Sequence, residues 1–189
     1  MHLVQSASYA VSPTRQTHAL SGMVKSHEHH FISLVAQNQG IIHKVCHMYA
    51  HNEDDRQDLF QEITLQLWRS FKSFKGDSKL STWMYRVALN TAISGFRKKK
   101  RRGKSVPLST QEFQLPADEV NTERAEQLVF LKKAIQELSE VERALIMLYL
   151  EEHSYEEIAD IMGITKNHVG VKLNRIKHKL KNRLTPHFS

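Results

Sequence analysis

The sequence predicts an all-α protein made of two small helical domains joined by a flexible linker. Three observations carry that prediction. Gly and Pro are scarce, 7 and 4 in 189 residues, so little interrupts long helices. Apolar residues recur at spacings of three and four along several separate segments. Between two sets of such segments, from Gly103 to about Asn121, the period disappears, and Ser105, Pro107, Ser109, Thr110, Gln111 and Pro116 take over. That is the composition of a linker. The expected divisions are an unstructured tail rich in Ser, Thr, Gln and His over 1–26, a first helical domain over 27–102, the linker over 103–122 and a second helical domain over 123–185.

The formal net charge is +7. Arg97, Lys98, Lys99, Lys100, Arg101, Arg102 and Lys104 form one short cationic run that carries the whole excess. Charge so localised is a directed electrostatic footprint for nucleic acid, where a generally basic surface would spread it. The single cysteine, Cys46, has no partner in the chain for a disulfide, as expected of a reducing compartment. The opening residues lack the basic and apolar regions of a secretory signal, and no apolar stretch approaches the ~20 residues of a membrane span. A cytoplasmic protein is expected.

In chain order, Phe31, Leu34 and Val35 fall at helical spacing. A break is predicted at Gln39-Gly40, after which Ile41, Ile42, Val45 and Met48 resume the period. His43, His47 and His51 recur every four residues beside Cys46. A metal is compatible with such a row. No acidic partner or supporting shell accompanies it, so exposed or half-buried imidazoles are the expectation, and no metal or cofactor is assigned. Asp54 and Asp55 then place negative charge where a helix start favours it. Leu59, Phe60, Ile63, Leu67, Phe71 and Phe74 make an apolar stripe for the core. Opposite it, Asp58, Gln61, Glu62, Gln66 and Arg69 form a polar face open to a partner.

The polar turn Lys75-Gly76-Asp77-Ser78 leads into a third helix, with Ser81 as its expected cap. Trp83, Val87, Asn90, Ser94 and Arg97 align on one side of it, and Tyr85, Leu89, Ala92 and Phe96 on another. Rings and cations on one helix suit an unpaired nucleic-acid strand, whose bases stack while its phosphates meet the charges. The competing expectation for Trp83 is a core ring whose indole N–H finds a partner. Asn90 fits a core helix less well, because Asn is a poor helix former kept for what its amide bonds. The linker that follows, extended at up to ~3.5 Å per residue, spans roughly 70 Å. That equals about 20 base pairs, so the halves can reach separate sites on one duplex.

The second domain is the most regular part of the chain. Leu128, Leu131, Ile135 and Leu138 predict one amphipathic helix. Ser139 with Glu142 is a capping box for the next, which carries Leu145, Ile146, Leu148, Tyr149 and Leu150. Ser154 with Glu157 is another, opening a short helix with Ile158, Ala159, Ile161 and Met162. Gly163 ends it, Ile164 fills the turn and Thr165 caps a last helix, with Val169, Leu173, Ile176, Leu180 and Leu184 inward until Pro186. A short helix, a Gly-containing turn and a longer basic helix form the layout of a helix-turn-helix reader. Lys166, Asn167, His168, Val171, Lys172 and Arg175, near the start of the last helix, are its candidates for base or phosphate contact.

Taken together, these segments resemble the bacterial sigma factors of the extracytoplasmic-function type, group 4 of the sigma-70 family. The likeness rests on Asp58-Leu59-Phe60-Gln61-Glu62, Leu67-Trp68, Phe74-Lys75-Gly76-Asp77, the run from Thr82 to Asn90, and Tyr155-Glu156-Glu157-Ile158-Ala159 through Arg175-Ile176. It runs from about His30 to Leu184. The resemblance implies a region 2 domain and a region 4 domain with only a linker between. It implies that Asp58, Gln61, Glu62, Gln66 and Arg69 meet the clamp helices of the β′ chain of RNA polymerase. The turn Phe74, Gly76, Asp77 and Ser78 would hold a base flipped from the −10 element, with Trp83, Tyr85, Arg86, Asn90, Arg97 and Lys98 along the strand. Extruding a base costs a few kcal/mol, offset by pocket contacts and stacking. Lys166, Asn167, His168, Val171, Lys172 and Arg175 would read the −35 element in duplex form, the domain's flank touching the flap of the β chain. An anti-sigma partner is also implied. Where many members carry an Arg-Ser or similar polar pair in the reading helix, Gly170 and Val171 stand here. Val171 then suits a thymine methyl, leaving Lys172 and Arg175 for phosphate or guanine.

Two other classes compete. A stand-alone helix-turn-helix regulator would use only the second domain and need no polymerase surface. A metalloenzyme would use the His row. No nucleophile–base pair, phosphate-cradling Gly loop or metal-ligand spacing supports the enzyme, and a non-enzymatic initiation factor is expected.

Overall fold

The computed structural model describes residues 13–50, 52–101 and 122–185. Among them it holds seven helices and no strand: α1 Pro13–Tyr49, α2 Glu53–Phe71, α3 Leu80–Arg101, α4 Thr122–Gln136, α5 Glu140–Leu150, α6 Tyr155–Met162 and α7 Lys166–Leu184. The all-α class and the grouping into two helical sets agree with the sequence. His51 and nearly all of the linker lie outside the described residues.

α1 departs from expectation in two ways. It begins at Pro13 and runs for 37 residues, so residues 13–26 of the predicted unstructured tail are helical. Proline suits a first turn, where its missing N–H has no intrahelical use. The helix also continues through Gln39-Gly40, where a break is predicted. One mid-helix Gly costs only about 1 kcal/mol relative to Ala, which the flanking turns outweigh. By internal contacts the chain divides between Gln39 and Gly40. Along the N-terminal unit, side chains bond back one turn, Gln37 Nε2 to Ser33 Oγ at 3.0 Å and Asn38 Nδ2 to the Leu34 carbonyl at 2.9 Å.

The unit from Gly40 onward holds the core. Asn52 caps α2, its side chain accepting from the Asp55 N–H at 2.7 Å, and Glu53, Asp54 and Asp55 fill the first turn. The stripe on α2 buries Ile63 and Leu67 completely, against α3 with its buried Met84, Ala88, Leu89 and Ala92. Ile42, Val45 and Cys46 of α1 are buried as well. Burying a side chain of that size is worth roughly 1.5–3 kcal/mol. The Lys79 carbonyl accepts from the Trp83 N–H at 3.1 Å, so α3 starts before Ser81. That serine is a helical residue and not the cap, because the cap is the residue whose carbonyl accepts the first intrahelical bond.

Both predicted capping boxes in the second set are present, at Ser139–Glu142 and Ser154–Glu157. Gly163 ends α6 in the left-handed region at φ 66, and the Thr165 side chain accepts from the His168 N–H to start α7. Val169, Leu173, Ile176 and Leu180 are buried as expected. Leu128 is not inward: it is 46% exposed, beside Val129 at 48%. α4 rests on α7 through its C-terminal end, where Ala134 is buried and its carbonyl accepts from Arg183 Nη1 at 3.3 Å. Leu138, expected on the helix, follows its end and is buried.

The two sets also touch. α3 packs against α5 and α6. Arg143 of α5 is buried, its guanidinium 5.2 Å from the Tyr49 ring centre and 4.7 Å from that of Phe96. Its Nη1 donates to the Met48 carbonyl at 3.4 Å, and Nε has no partner. Burial pushes the Arg143 pKa down, against the opposing pull of Tyr49 and Glu140.

Candidate nucleic-acid interface

The arrangement places the candidates for two reading elements and one docking face. Phe71 ends α2, and the chain turns through Ser73 and Phe74, whose N–H groups donate to Ser70 and Phe71 carbonyls. Gly76 sits at φ 79, a backbone state that a Cβ disfavours. Asp77 is exposed and Ser78 half-buried at the tip. Phe74 lies 4.9 Å from Trp83 and Phe71 lies 6.3 Å from it, ring centre to ring centre. The Trp83 side of α3 thus starts as an aromatic cluster holding the turn, with the ring only 9% exposed. Farther along the same side Asn90, Ser94 and Arg97 are exposed. Lys98 is exposed too, and Lys99 pairs with Asp55 at 2.6 Å.

Tyr85, on the other side, is 4% exposed and donates its hydroxyl to the Glu151 carboxylate. Burial, followed by that bond and charge, pushes the phenol pKa well above its ordinary value. Arg86 Nε donates to the Asp160 carbonyl at 3.1 Å. Of the residues assigned to a single strand, Asn90, Arg97 and Lys98 are free to solvent in this conformation, while Trp83, Tyr85 and Arg86 are engaged.

The second candidate reading element is α7. Lys166, Asn167, His168, Val171, Lys172 and Arg175 are all exposed, and Val171 stands 49% open among polar neighbours. An exposed valine there is a surface for a base methyl. Lys166 pairs with Glu156 of α6 across the turn, both side chains largely exposed. Gly170 faces Tyr155, whose ring would meet an added Cβ at 3.6 Å. Asn174, one turn beyond Val171 and also exposed, is absent from the sequence candidates, which did not follow the Asn167–Val171 line of the helix a further turn.

On α2, Asp58, Gln61, Glu62 and Arg69 are exposed, and Gln66 donates to Glu62 at 2.8 Å. Leu65 lies in the centre of this face and is 41% exposed. Its signal in the sequence was a leucine off the apolar stripe, where a helical wheel of core positions does not look.

Of the His row, His43 and His47 lie within the described residues and His51 does not. His43 lies 4.9 Å from the Phe60 ring, and with His47, Cys46, Glu53, Arg56, Gln57 and Gln61 it lines a cleft of about 360 Å³. Among the described residues no group of three His, Cys, Asp or Glu could hold a metal. Burial and Arg56 push His47 down, and burial raises the Cys46 thiol to about 11.

Comparison with known proteins agrees with this geometry. Residues 34–102 match the family model of Sigma-70 region 2, and residues 131–180 that of Sigma-70 region 4. The ECF RNA polymerase sigma-E factor of Escherichia coli is 30% identical over 159 residues, 76% of this chain and 82% of that one. The chain belongs to the extracytoplasmic-function sigma factors. The sigma-E factor of Haemophilus influenzae is 28% identical over 169 residues, covering 82% of this chain and 88% of its own. The sigma factor RpoE, solved with the anti-sigma factor NepR from Bartonella quintana, shares the fold at TM-score 0.61 and 22% identity, over 85% of this chain and 98% of that one. CnrH, solved with the cytosolic domain of CnrY, does so at 0.60 and 19%, over 84% and 90%. The region 2 match sets aside a stand-alone helix-turn-helix regulator, so this sigma factor is an alternative specificity subunit for RNA polymerase. Among the described residues, no helix is long and apolar enough to cross a membrane.

Proposed function

We propose that this sigma factor divides its work between residues 27–102 and 123–185. The exposed face of α2, with Asp58, Gln61, Glu62, Gln66, Arg69 and Leu65, docks on the β′ clamp helices. The turn Phe74, Gly76, Asp77 and Ser78 takes a flipped base of the −10 element. Trp83, Tyr85, Arg86, Asn90, Arg97 and Lys98 follow the opened strand. Lys166, Asn167, His168, Val171, Lys172 and Arg175 read the −35 duplex, and the flank of that domain meets the β flap. The chain performs no catalysis of its own and works in the cytoplasm, where an anti-sigma factor binds it, as NepR binds RpoE in the solved complex.

One observation carries this reading. A helix with exposed Asn90, Arg97 and Lys98 running into a cationic end precedes a capped helix-turn-helix on the same chain. This pairing of elements supports a chain that both captures an opened strand and reads a duplex. Reconstituted transcription tests it. Core polymerase plus this chain initiates at a cognate promoter, and Asn90→Ala keeps core and duplex −35 binding but loses permanganate-reactive thymines in the −10 bubble. Unchanged footprints would remove α3 from strand opening.

A further inference from the structure

Tyr85 and Arg86 of α3, Lys79 just before it and Lys44 of α1 meet acceptors from the second helical set. Glu151, at the end of α5, accepts the Tyr85 hydroxyl and pairs with Lys44 Nζ at 3.0 Å, its side chain 18% exposed. Glu157 of α6 pairs with Lys79 at 2.9 Å, and the Asp160 carbonyl takes Arg86. His153 sets its edge on the Tyr85 ring, centres 5.1 Å apart at 85°. Its ring nitrogens lie 3.8 Å from Glu151 and 3.8 Å from Glu157. A row of anionic and carbonyl oxygens thus meets three cations and a phenol, the same pairing a phosphate backbone would make.

The turn that presents this row is held in an unfavourable conformation. Glu152 has φ 61 and is not a glycine, a state that a Cβ opposes. Its N–H donates to Tyr149 at 3.1 Å and that of His153 to Leu148 at 3.2 Å, so the helix end closes in a way that sets Glu151 and His153 on either side of it against Tyr85. The contact is also built to part. Its ion pairs are partly solvated and therefore individually weak. Its deepest member, Arg143, keeps Nε unpaired, which leaves a buried polar group unsatisfied. The outer face of α7 remains exposed throughout. Closure engages Tyr85 and Arg86 in the middle of the proposed strand path, leaving Asn90, Arg97 and Lys98 and the reading face of α7 open.

We infer that the acidic turn between α5 and α6 is an internal gate on the −10 site, so that closure of the two helical sets and capture of a single strand exclude each other. This rests on the assignment of α3 to the strand. The closed chain reads a −35 duplex but holds unpaired DNA poorly, and its apparent affinity for a strand is the intrinsic one reduced by the fraction of open molecules.

A charge swap tests the gate. Dyes on Asp54→Cys and Asn182→Cys, both exposed, report closure in the full chain, Cys46 being buried. E151K places a cation against Lys44 and lowers energy transfer. It also tightens binding of a degenerate single strand, about 12 nucleotides long, by about tenfold or more, with −35 duplex affinity unchanged. Adding K44E restores both values. Should E151K impair folding by circular dichroism, E151Q with E157Q removes both carboxylate charges of the row while keeping amide acceptors. Transfer that neither variant lowers overturns the gate whatever the DNA result. Lowered transfer with strand affinity unchanged overturns the exclusion. Lowered transfer with no strand binding by any form shows that the chain closes, but overturns α3 as the strand site and the gate with it.

Discussion

Glu152 and Gly163 occupy the same left-handed backbone state, at φ 61 and φ 66, and carry opposite expectations. Gly163 ends α6 and spaces it from α7, so Gly163→Ala should destabilise by about 1–2 kcal/mol. Glu152→Gly should be neutral or stabilise by up to about 1 kcal/mol, since it removes the Cβ that its conformation opposes. Urea unfolding followed by circular dichroism measures both. A loss from Glu152→Gly would mean that the glutamate side chain supports the turn. Leu65 is a different kind of residue, 41% exposed within a polar face and remote from the core. Leu65→Ala should leave stability within about 0.5 kcal/mol and weaken core polymerase binding by about 1–2 kcal/mol, read by competition with another sigma factor. Equal losses in both would make it a packing residue. Residues such as Leu65 and Tyr85 were hard to read for one reason. Periodicity says which side of a helix is apolar, but it does not say which neighbour covers it. Trp83 was left open between core and strand, and its placement against Phe71 and Phe74 supplies a packing role for the ring.

Helix ends were the most legible elements where a side chain makes them. Ser139, Ser154, Gly163 and Thr165 do what their types and spacing suggest, because capping is decided within four residues. The expectations that failed depended on longer range. Ser81 was outranked as a cap by an entry at Lys79. Gly40 does not interrupt α1. Leu128 is exposed on α4. None of these depends on composition nearby, and each is set by what a turn or neighbour provides elsewhere. The local rule can be tested on α6, which is only 8 residues long and has little else to start it. Ser154→Ala should cost about 1 kcal/mol. Because α6 packs on α7 and leads into it through the Gly163 turn, −35 duplex affinity should fall with it. Titration of a labelled duplex alongside thermal unfolding decides this. A stability loss with unaltered duplex affinity would separate the cap from the reading geometry.

At the scale of the molecule, the two helical sets were foreseen and their contact was not, since nothing in either set's own pattern encodes the other's charges. Glu157 joins both levels. Its bond to Lys79, then those to the Ser154 backbone and hydroxyl, hold its pKa down to about 2. One partner belongs to the contact between the sets and the others to the α6 cap. A carboxylate that ionises more easily when folded favours the folded state above the ordinary pKa of about 4.3. That contribution is lost as pH falls from there through about 2. The Glu157 side chain is 34% exposed, so solvent screening keeps the effect modest. Glu142 is also held low, the bonds from Lys179 and Ser139 outweighing a burial effect that raises it, but those partners lie within the second set. Acid should therefore act in two separable ways, loosening closure through Lys79–Glu157 and weakening α6 and α5 through their caps. Lys79→Met should abolish the share of the acid response seen in energy transfer between the sets and leave the loss of helicity in place. Glu157→Gln, whose amide can still serve the cap, should weaken closure already at neutral pH and flatten its dependence below about pH 4.5. If the transfer profile of both variants follows the unaltered chain down to pH 2, Glu157 does not link the two sets, and their contact is held by Glu151 and Arg143 instead.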